Sequence, residues 1–254
     1  MATDPTMTVT DGEPGLRGQT VVVIGGSAGI GFETARRARA EGADVILAAR
    51  DPDRLERAAA ELGAVRSAAV DATDWAALRR FFGALPETID HVMVTGPGPY
   101  YAPLAELDHE RAQRDWNDHV WLAVAVAQHS VGRVRPGGTL LFMGGTGGRG
   151  RGPGLSLIAA ATAAQPALIA NLAVELAPIR VNLIAAGFVD TPLSAGLLGA
   201  DLDQRRDQLR ATLPIRRVVG PGDVAALAVH LMTNTALTGA TYDIDGGQQL
   251  VQGG

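Results

Sequence analysis

Thr20-Val-Val-Val-Ile-Gly-Gly-Ser-Ala-Gly-Ile-Gly31 decides the fold. Its first five residues are an uninterrupted β-branched run, which predicts a strand buried on both faces of a parallel sheet. Gly25, Gly29 and Gly31 then stand between that strand and the start of a helix. The chain must turn tightly there, and a side chain would collide with any ligand seated on the turn. A helix N-terminus at this place offers free N–H groups and positive potential, the combination that holds a pyrophosphate. Strand, glycine turn and helix in this order predict a dinucleotide cradle bordered by Gly25, Ser27, Ala28, Gly29, Ile30 and Gly31. The competing reading is an ordinary strand-to-helix turn, and the motif's place at the opening of the domain weighs against it.

Working outward, residues 32–41 read as a helix stopped by Gly42, and 45–49 as a second buried strand. Asp51 is placed to cap a helix over 52–62, after which strand 65–70, helix 75–82 and strand 91–94 continue the alternation. Next come a helix over 110–134, a strand at 139–143, a glycine-rich loop at 144–154, an alanine-rich helix over 155–176 and a strand at 180–184. A loop and helix over 190–213, a helix over 223–232 and a strand at 240–244 complete the series. Strands alternating with helices, without repeat or linker, predict a doubly wound parallel sheet: a Rossmann-type, three-layer α/β/α fold in a single domain over 16–254. Residues 1–15 are polar, rich in Thr, Asp, Gly and Pro, and lack the cationic start and apolar run of a secretion signal, so a disordered leader is expected.

Composition narrows the function. With 254 residues, 46% of them hydrophobic, the chain can bury one large core. A net charge of -5 leaves no basic surplus for phosphate backbones, so a small-molecule substrate is expected and a nucleic-acid partner is not. Cysteine is absent, which removes disulfides, thiolate catalysis and cysteine-based metal sites; the five histidines show no ligand spacing, and no metal is expected. Gly, Pro or charge breaks every apolar run before it reaches membrane-crossing length, which predicts a cytoplasmic protein with no membrane partner. All 22 cationic side chains are arginine, so no mechanism needing a lysine ammonium is open to this chain.

The end of the second strand selects the dinucleotide. An acid there would bind the ribose 2′-hydroxyl of NAD and repel the 2′-phosphate of NADP. Ala49 and Arg50 occupy the place instead, and a guanidinium suits a phosphate, so NADP is expected in preference to NAD. The alternative for Arg50 is a surface ion pair with Asp51 or Asp53.

Three further motifs share the order and spacing of one family: Val70-Asp-Ala-Thr-Asp74, Ala186-Gly-Phe-Val-Asp-Thr-Pro192 and Gly239-Ala-Thr-Tyr-Asp-Ile-Asp-Gly-Gly247. With the glycine turn they make the chain resemble the short-chain dehydrogenase/reductases from about Gly18 onward. The resemblance implies that Asp71 and Ala72 contact adenine, that Thr95, Gly96 and Pro97 lie along the adenosine ribose, and that Gly187, Val189 and Thr191 hold the nicotinamide end. It also implies a homo-oligomer, a dimer or tetramer built on two long helices, and the small residues over 159–164 permit such close approach.

The catalytic half departs from that family. Its tyrosine, four residues before a lysine on the long helix, moves the proton; the lysine lowers the tyrosine's pKa and holds the ribose; a serine thirteen residues earlier orients the carbonyl. Aligned backwards without gaps from Leu172-Ala-Val-Glu-Leu-Ala-Pro178, these positions are Ile158, Thr162 and Gly145. None can do the acid–base step, although Thr162 stays beside the ribose. The candidates to replace them are Thr146, which keeps a hydroxyl; His119, whose imidazole can carry a proton if it faces the cleft; and Tyr101, next to Tyr100 after the fourth strand. Their ordinary roles would be a local backbone hydrogen bond, a packing residue and a hydrophobic lid.

Two functions fit this division. One is an atypical NADP-dependent oxidoreductase that moves hydride to or from a bulky hydrophobic molecule needing little proton donation, such as an iminium ion, a quinone or a conjugated alkene. The other is a non-redox NADP-binding protein: a sensor, a partner subunit or a cofactor-independent catalyst.

Overall fold

The computed structural model describes residues 15–96 and 98–251. At its centre is a sheet of seven parallel strands: β1 (Thr20–Ile24), β2 (Asp44–Ala49), β3 (Arg66–Ala69), β4 (Ile89–Val94), β5 (Val134–Gly145), β6 (Arg180–Ala186) and β7 (Thr241–Ile244). Their order is β3-β2-β1-β4-β5-β6-β7. The chain therefore winds outward from β1 to β3, then crosses back to begin again at β4. The loops leaving β1 and β4 diverge at that reversal, and a crevice opens above the carboxyl ends of the strands.

Helices cover both faces. α1 (Gly29–Ala40), α2 (Pro52–Leu62) and α9 (Pro221–Thr233) pack on one side; α3 (Trp75–Ala84), α4 (His109–Trp116), α5 (Leu122–Ser130) and α6 (Ser156–Glu175) pack on the other. Because side chains alternate along a strand, β1 feeds both cores. Val21 and Val23 meet Ala35, Ala38 and Val224, whereas Val22 and Ile24 belong with Leu78, Phe82 and Val126. The fully apolar run of β1 follows from that double burial. Three short helices, α7 (Pro192–Leu198), α8 (Leu202–Thr212) and α10 (Gln248–Val251), lie at the carboxyl end of the sheet.

Several sequence expectations need correction. The helix expected over 110–134 is broken: a π-turn at Asn117–Trp121 separates α4 from α5, and the chain leaves the helix after Ser130 to enter β5. The segment expected over 190–213 forms two helices, divided at Gly199, which adopts φ 52°. β5 and β6 run past their expected ends because they stay paired as far as Gly145 and Ala186. α6 is also long and apolar enough to cross a membrane, against the expectation that no segment is; here Ile158, Ala161, Ile169 and Leu172 bury one of its faces. The leader expected over 1–15 lies outside the described residues except for Gly15.

Two buried polar side chains tie the sheet's amino end together. Arg180, 5% exposed, sends its guanidinium to five carbonyls: Gly137 at 3.2 Å, Leu231 at 2.7 Å, Met232 at 2.7 Å, Asn234 at 3.0 Å and Leu237 at 3.1 Å. It thereby satisfies the C-terminal carbonyls of α9 and complements the negative end of that helix. His91, fully buried in β4, meets the Gln19 side chain at 2.8 Å while its Nδ1 is unpartnered.

Burial pushes the His91 imidazole down to about 3, with the charges of Arg180 and Arg135 acting the same way and Asp90 opposing them. The folded state therefore keeps this ring neutral. Below its ordinary value of 6.5 the unfolded chain takes up a proton that the folded chain refuses. Stability from this group is whole above that value and falls, as pH drops through the window, by about 1.4 kcal/mol per pH unit. Denaturant titrations from pH 7 to 4 should show a shallower acid loss for His91→Gln than for the parent; equal slopes would show that the ring is charged in the fold.

Candidate active site

One cleft of 1280 Å³ runs along the carboxyl edge of the sheet. Its floor begins at the glycine turn. Gly25 adopts φ +87°, and a β-carbon there would lie 2.7 Å from the Thr95 carbonyl oxygen and closer still to the Thr95 hydroxyl. A β-carbon on Gly31 would meet the carbonyl of Gly25, 2.9 Å from its carbon. Glycine is therefore required at both positions by neighbouring backbone. Gly25, Ser27, Ala28, Gly29 and Ile30 border the cleft; Gly31 is packed beneath it, where its role is close approach of α1 to β1. Ala28 precedes the helix without a side-chain cap, so the first N–H groups of α1 are left for a ligand. Bare N–H groups over a turn that admits no side chain fit a pyrophosphate.

Of the residues expected along the adenosine, Arg50, Asp71, Ala72, Thr95 and Gly96 line the cleft, while Pro97 lies outside the described residues. The Thr95 hydroxyl donates to the carbonyls of Ile24 and Gly25, each at 3.2 Å, and so locks the turn to β4. Asp71 accepts from the Thr73 N–H and hydroxyl. The surface-pair alternative for Arg50 is not what forms. Asp51 pairs instead with Arg54 at 3.3 Å and caps α2, leaving Arg50 without an ion pair among the described residues.

At the other end Gly187, Val189 and Thr191 line the cleft. Their loop is braced from two sides. Gln248 accepts from the Phe188 N–H at 2.9 Å, and Arg206 makes a bidentate pair with Asp190 at 2.8 and 2.9 Å. Thr191 opens α7 through a reciprocal capping box with Ser194. α7 carries Leu193 and Leu197, each about half exposed, over the cleft as an apolar flap. Sequence reading passed over these leucines because an apolar pair in a short helix has no spacing that separates a cleft wall from ordinary packing.

The facing wall is where the expected catalytic candidates part company. His119 and Tyr101 line the cleft together with Gly145, Ile158 and Thr162. Thr146 does not: it is 1% exposed, is not part of the cleft lining, and its N–H donates to Ala186 at 2.9 Å, so it is not placed to orient a carbonyl in the cleft. The Thr162 hydroxyl is spent on the Ile158 carbonyl one turn back, at 2.8 Å. Burial, reinforced by the nearby Asp115 charge, raises the Tyr101 phenol and keeps it neutral.

Sequence reading also missed Asp115 and Gln165. Gln165, 4% exposed, donates to the His119 carbonyl at 3.0 Å and so ties α6 to the π-turn. Its signal was available: a lone amide three residues past Thr162 in an alanine-rich helix shares its face. Asp115 and His119, four apart, carry the same kind of signal. Among the described residues no cluster of three or more His, Asp or Glu side chains gathers to hold a metal.

Over residues 25–249 the chain matches the family described as enoyl-(acyl carrier protein) reductase. It is 29% identical to the short-chain dehydrogenase/reductase ATR9 of Stachybotrys chlorohalonatus, over 92% of this chain and 98% of that one. The chain belongs to the short-chain dehydrogenase/reductase family. A solved member, the MalC reductase/Diels-Alderase of Malbranchea aurantiaca, superposes with a TM-score of 0.84 at 27% identity, covering 94% of this chain and 99% of that one. A small-chain dehydrogenase in complex with NADPH superposes with a TM-score of 0.79 at 28% identity, over 91% and 99% of the two chains. For a short-chain dehydrogenase/reductase the chain is a nicotinamide-binding fold and an oxidoreductase by family.

Proposed function

We propose that the chain is an NADP-dependent reductase which passes hydride to a bulky, flat, hydrophobic acceptor without a tyrosine–lysine relay. The observation that carries this reading is a single cleft joining the glycine cradle and an unpaired Arg50 to a wall made of Gly145, Ile158 and Thr162. When bound, the reduced nicotinamide supplies the hydride. The chain's own part is to hold and aim it: α1 N–H groups at the pyrophosphate, Arg50 at the 2′-phosphate, and Gly187, Val189 and Thr191 at the carboxamide. Leu193 and Leu197 shield the acceptor from water. Ile158 offers an apolar face where a phenol would stand, and a β-carbon at Gly145 would touch nothing closer than 3.8 Å, so the wall has room for a flat ligand. The similarity to a NADPH complex, to a reductase/Diels-Alderase and to a family described by enoyl reduction agrees with this choice. The outward face of α6, with Ala160, Ala163, Ala167 and Ala170 exposed, is the surface on which we propose a homo-oligomer forms.

Calorimetry with NADPH and NADH tests the cofactor. Parent protein should favour NADPH, and Arg50→Ala should weaken NADPH alone by about 10–100-fold, the worth of one or two charge-assisted hydrogen bonds; equal parent affinities would refute the preference. Stopped-flow absorbance of NADPH against quinones, iminium ions, enones and unactivated ketones tests the reaction. Oxidation by the first three classes and little by ketones is expected, and no acceptor-dependent oxidation would turn the reading to a non-redox NADP-binding protein.

A further inference from the structure

The π-turn at Asn117–Trp121 places His119 on the cleft wall in an arrangement that the hydride reading does not use. A π-turn inserts one residue into a helix at a local cost, and such turns concentrate at functional sites. Here it carries His119 to the wall shared by Tyr101 and Ile158. The ring is fixed from behind: Nδ1 lies 2.8 Å from the Asp115 carbonyl oxygen and 3.4 Å from the Asp115 carboxylate. A carbonyl only accepts, so Nδ1 carries a proton and Nε2 is the atom left to the cleft. Asp115 is itself 5% exposed; one of its oxygens accepts from the Tyr100 N–H at 2.9 Å, and the other has no partner. The Gln165 amide holds the His119 carbonyl at 3.0 Å, which fixes the backbone of the turn.

We propose that His119, oriented by Asp115, delivers the proton that completes reduction of an α,β-unsaturated carbonyl in this cleft. The inference rests on the reductase reading and names its substrate class. Hydride from the reduced nicotinamide forms a C–H bond at the β-carbon. The C=C electron pair shifts toward the carbonyl and leaves an enolate. The α-carbon then takes the proton from Nε2 of the imidazolium, the C=O re-forms, and the neutral ring is recharged from water. The dinucleotide leaves oxidised, so two electrons and two hydrogens are accounted for. An enolate is stable enough to wait for its proton, whereas an unactivated ketone needs an acid at its oxygen during hydride transfer. That difference is consistent with an acid on the π-turn and none at Ile158.

Burial raises the Asp115 carboxyl above its ordinary value, with the neighbouring His119, the Tyr100 N–H and Arg111 opposing that rise. The titratable groups facing the ring are Asp115 and Asp118 on its own segment and Tyr101 from the loop after β4. Arg111 lies beyond Asp115, Arg50 and Asp71 beyond Asp118, and α6 presents only the neutral Ile158, Thr162 and Gln165.

Two measurements test the assignment. The first needs no turnover: in long-range ¹⁵N–¹H spectra of the protein without acceptor, the neutral form of the His119 ring should carry its proton on Nδ1, and a neutral form with its proton on Nε2 would overturn the proposal. The second compares acceptors. His119→Gln should slow NADPH oxidation by an enone about 100-fold and slow oxidation by an iminium ion, which takes hydride and needs no proton, far less. The parent's enone rate should fall as pH rises, because the donor must carry its proton, and Asp115→Asn should move that fall to lower pH. An unchanged enone rate in His119→Gln, with the parent still oxidising NADPH, would remove His119 and leave the reductase reading standing. A parent that oxidises NADPH with none of the acceptors would remove the reading and the assignment together.

Discussion

Gly31→Ala is expected to abolish dinucleotide binding, lowering NADPH affinity by more than about 100-fold. The reason is local and severe: the new β-carbon would press into the carbonyl of Gly25, and the obstructing atoms are backbone. Relief requires α1 to move off β1 or the turn to open, and either displaces the N–H groups proposed to hold the phosphates. A loss of that size is about 3 kcal/mol of binding energy. Gly83→Ala, outside the cleft, is the control, since a β-carbon there meets nothing within 4 Å. Calorimetry should therefore separate the two alanines sharply, with thermal melts confirming that the Gly31 variant is still folded. Near-parental affinity in Gly31→Ala would mean that the turn does not carry the phosphates.

Arg180→Met should be the most damaging substitution for stability. Methionine fills part of the space and leaves the carbonyls of Leu231, Met232 and Asn234 buried without their donor. Each such orphan costs about 1–3 kcal/mol, and partial relaxation should leave a loss of about 3–5 kcal/mol. For a domain of this size that corresponds to a Tm lower by about 10 °C or more. Arg180→Lys should recover only part of it, because one ammonium cannot reach carbonyls arranged around a planar fork. Urea denaturation of the three proteins checks the order, and a loss below about 1 kcal/mol for methionine would show that water replaces the guanidinium.

What the sequence disclosed, and what it hid, divides by how local the physics is. β1 and the turn after it were legible because β-branched burial and glycine sterics act within a dozen residues. Asp51 at the start of α2 was legible for the same reason, and its capping role is also why Arg50 is free. The break between α4 and α5 was not legible, since Trp116 to Leu122 contains no glycine or proline; the π-turn is held by Gln165, which is distant in sequence. Thr146 misled for a similar reason. A hydroxyl beside Gly145 looks available until β5 pairs with β6 and draws the threonine inside. The loop that leads into the α7 flap is braced by the Asp190–Arg206 pair, a contact between that loop and α8 that neither segment announces alone.

The brace from Gln248 to the Phe188 N–H has a consequence for a shortened chain. The glycine turn is closed by β1, α1, β2 and β4, all encoded in the first part of the chain. The loop over 187–191 at the other end of the cleft is braced by Gln248, which follows the last strand. A chain cut short before Gln248 would thus keep every residue of the glycine turn and lose the brace of the facing loop.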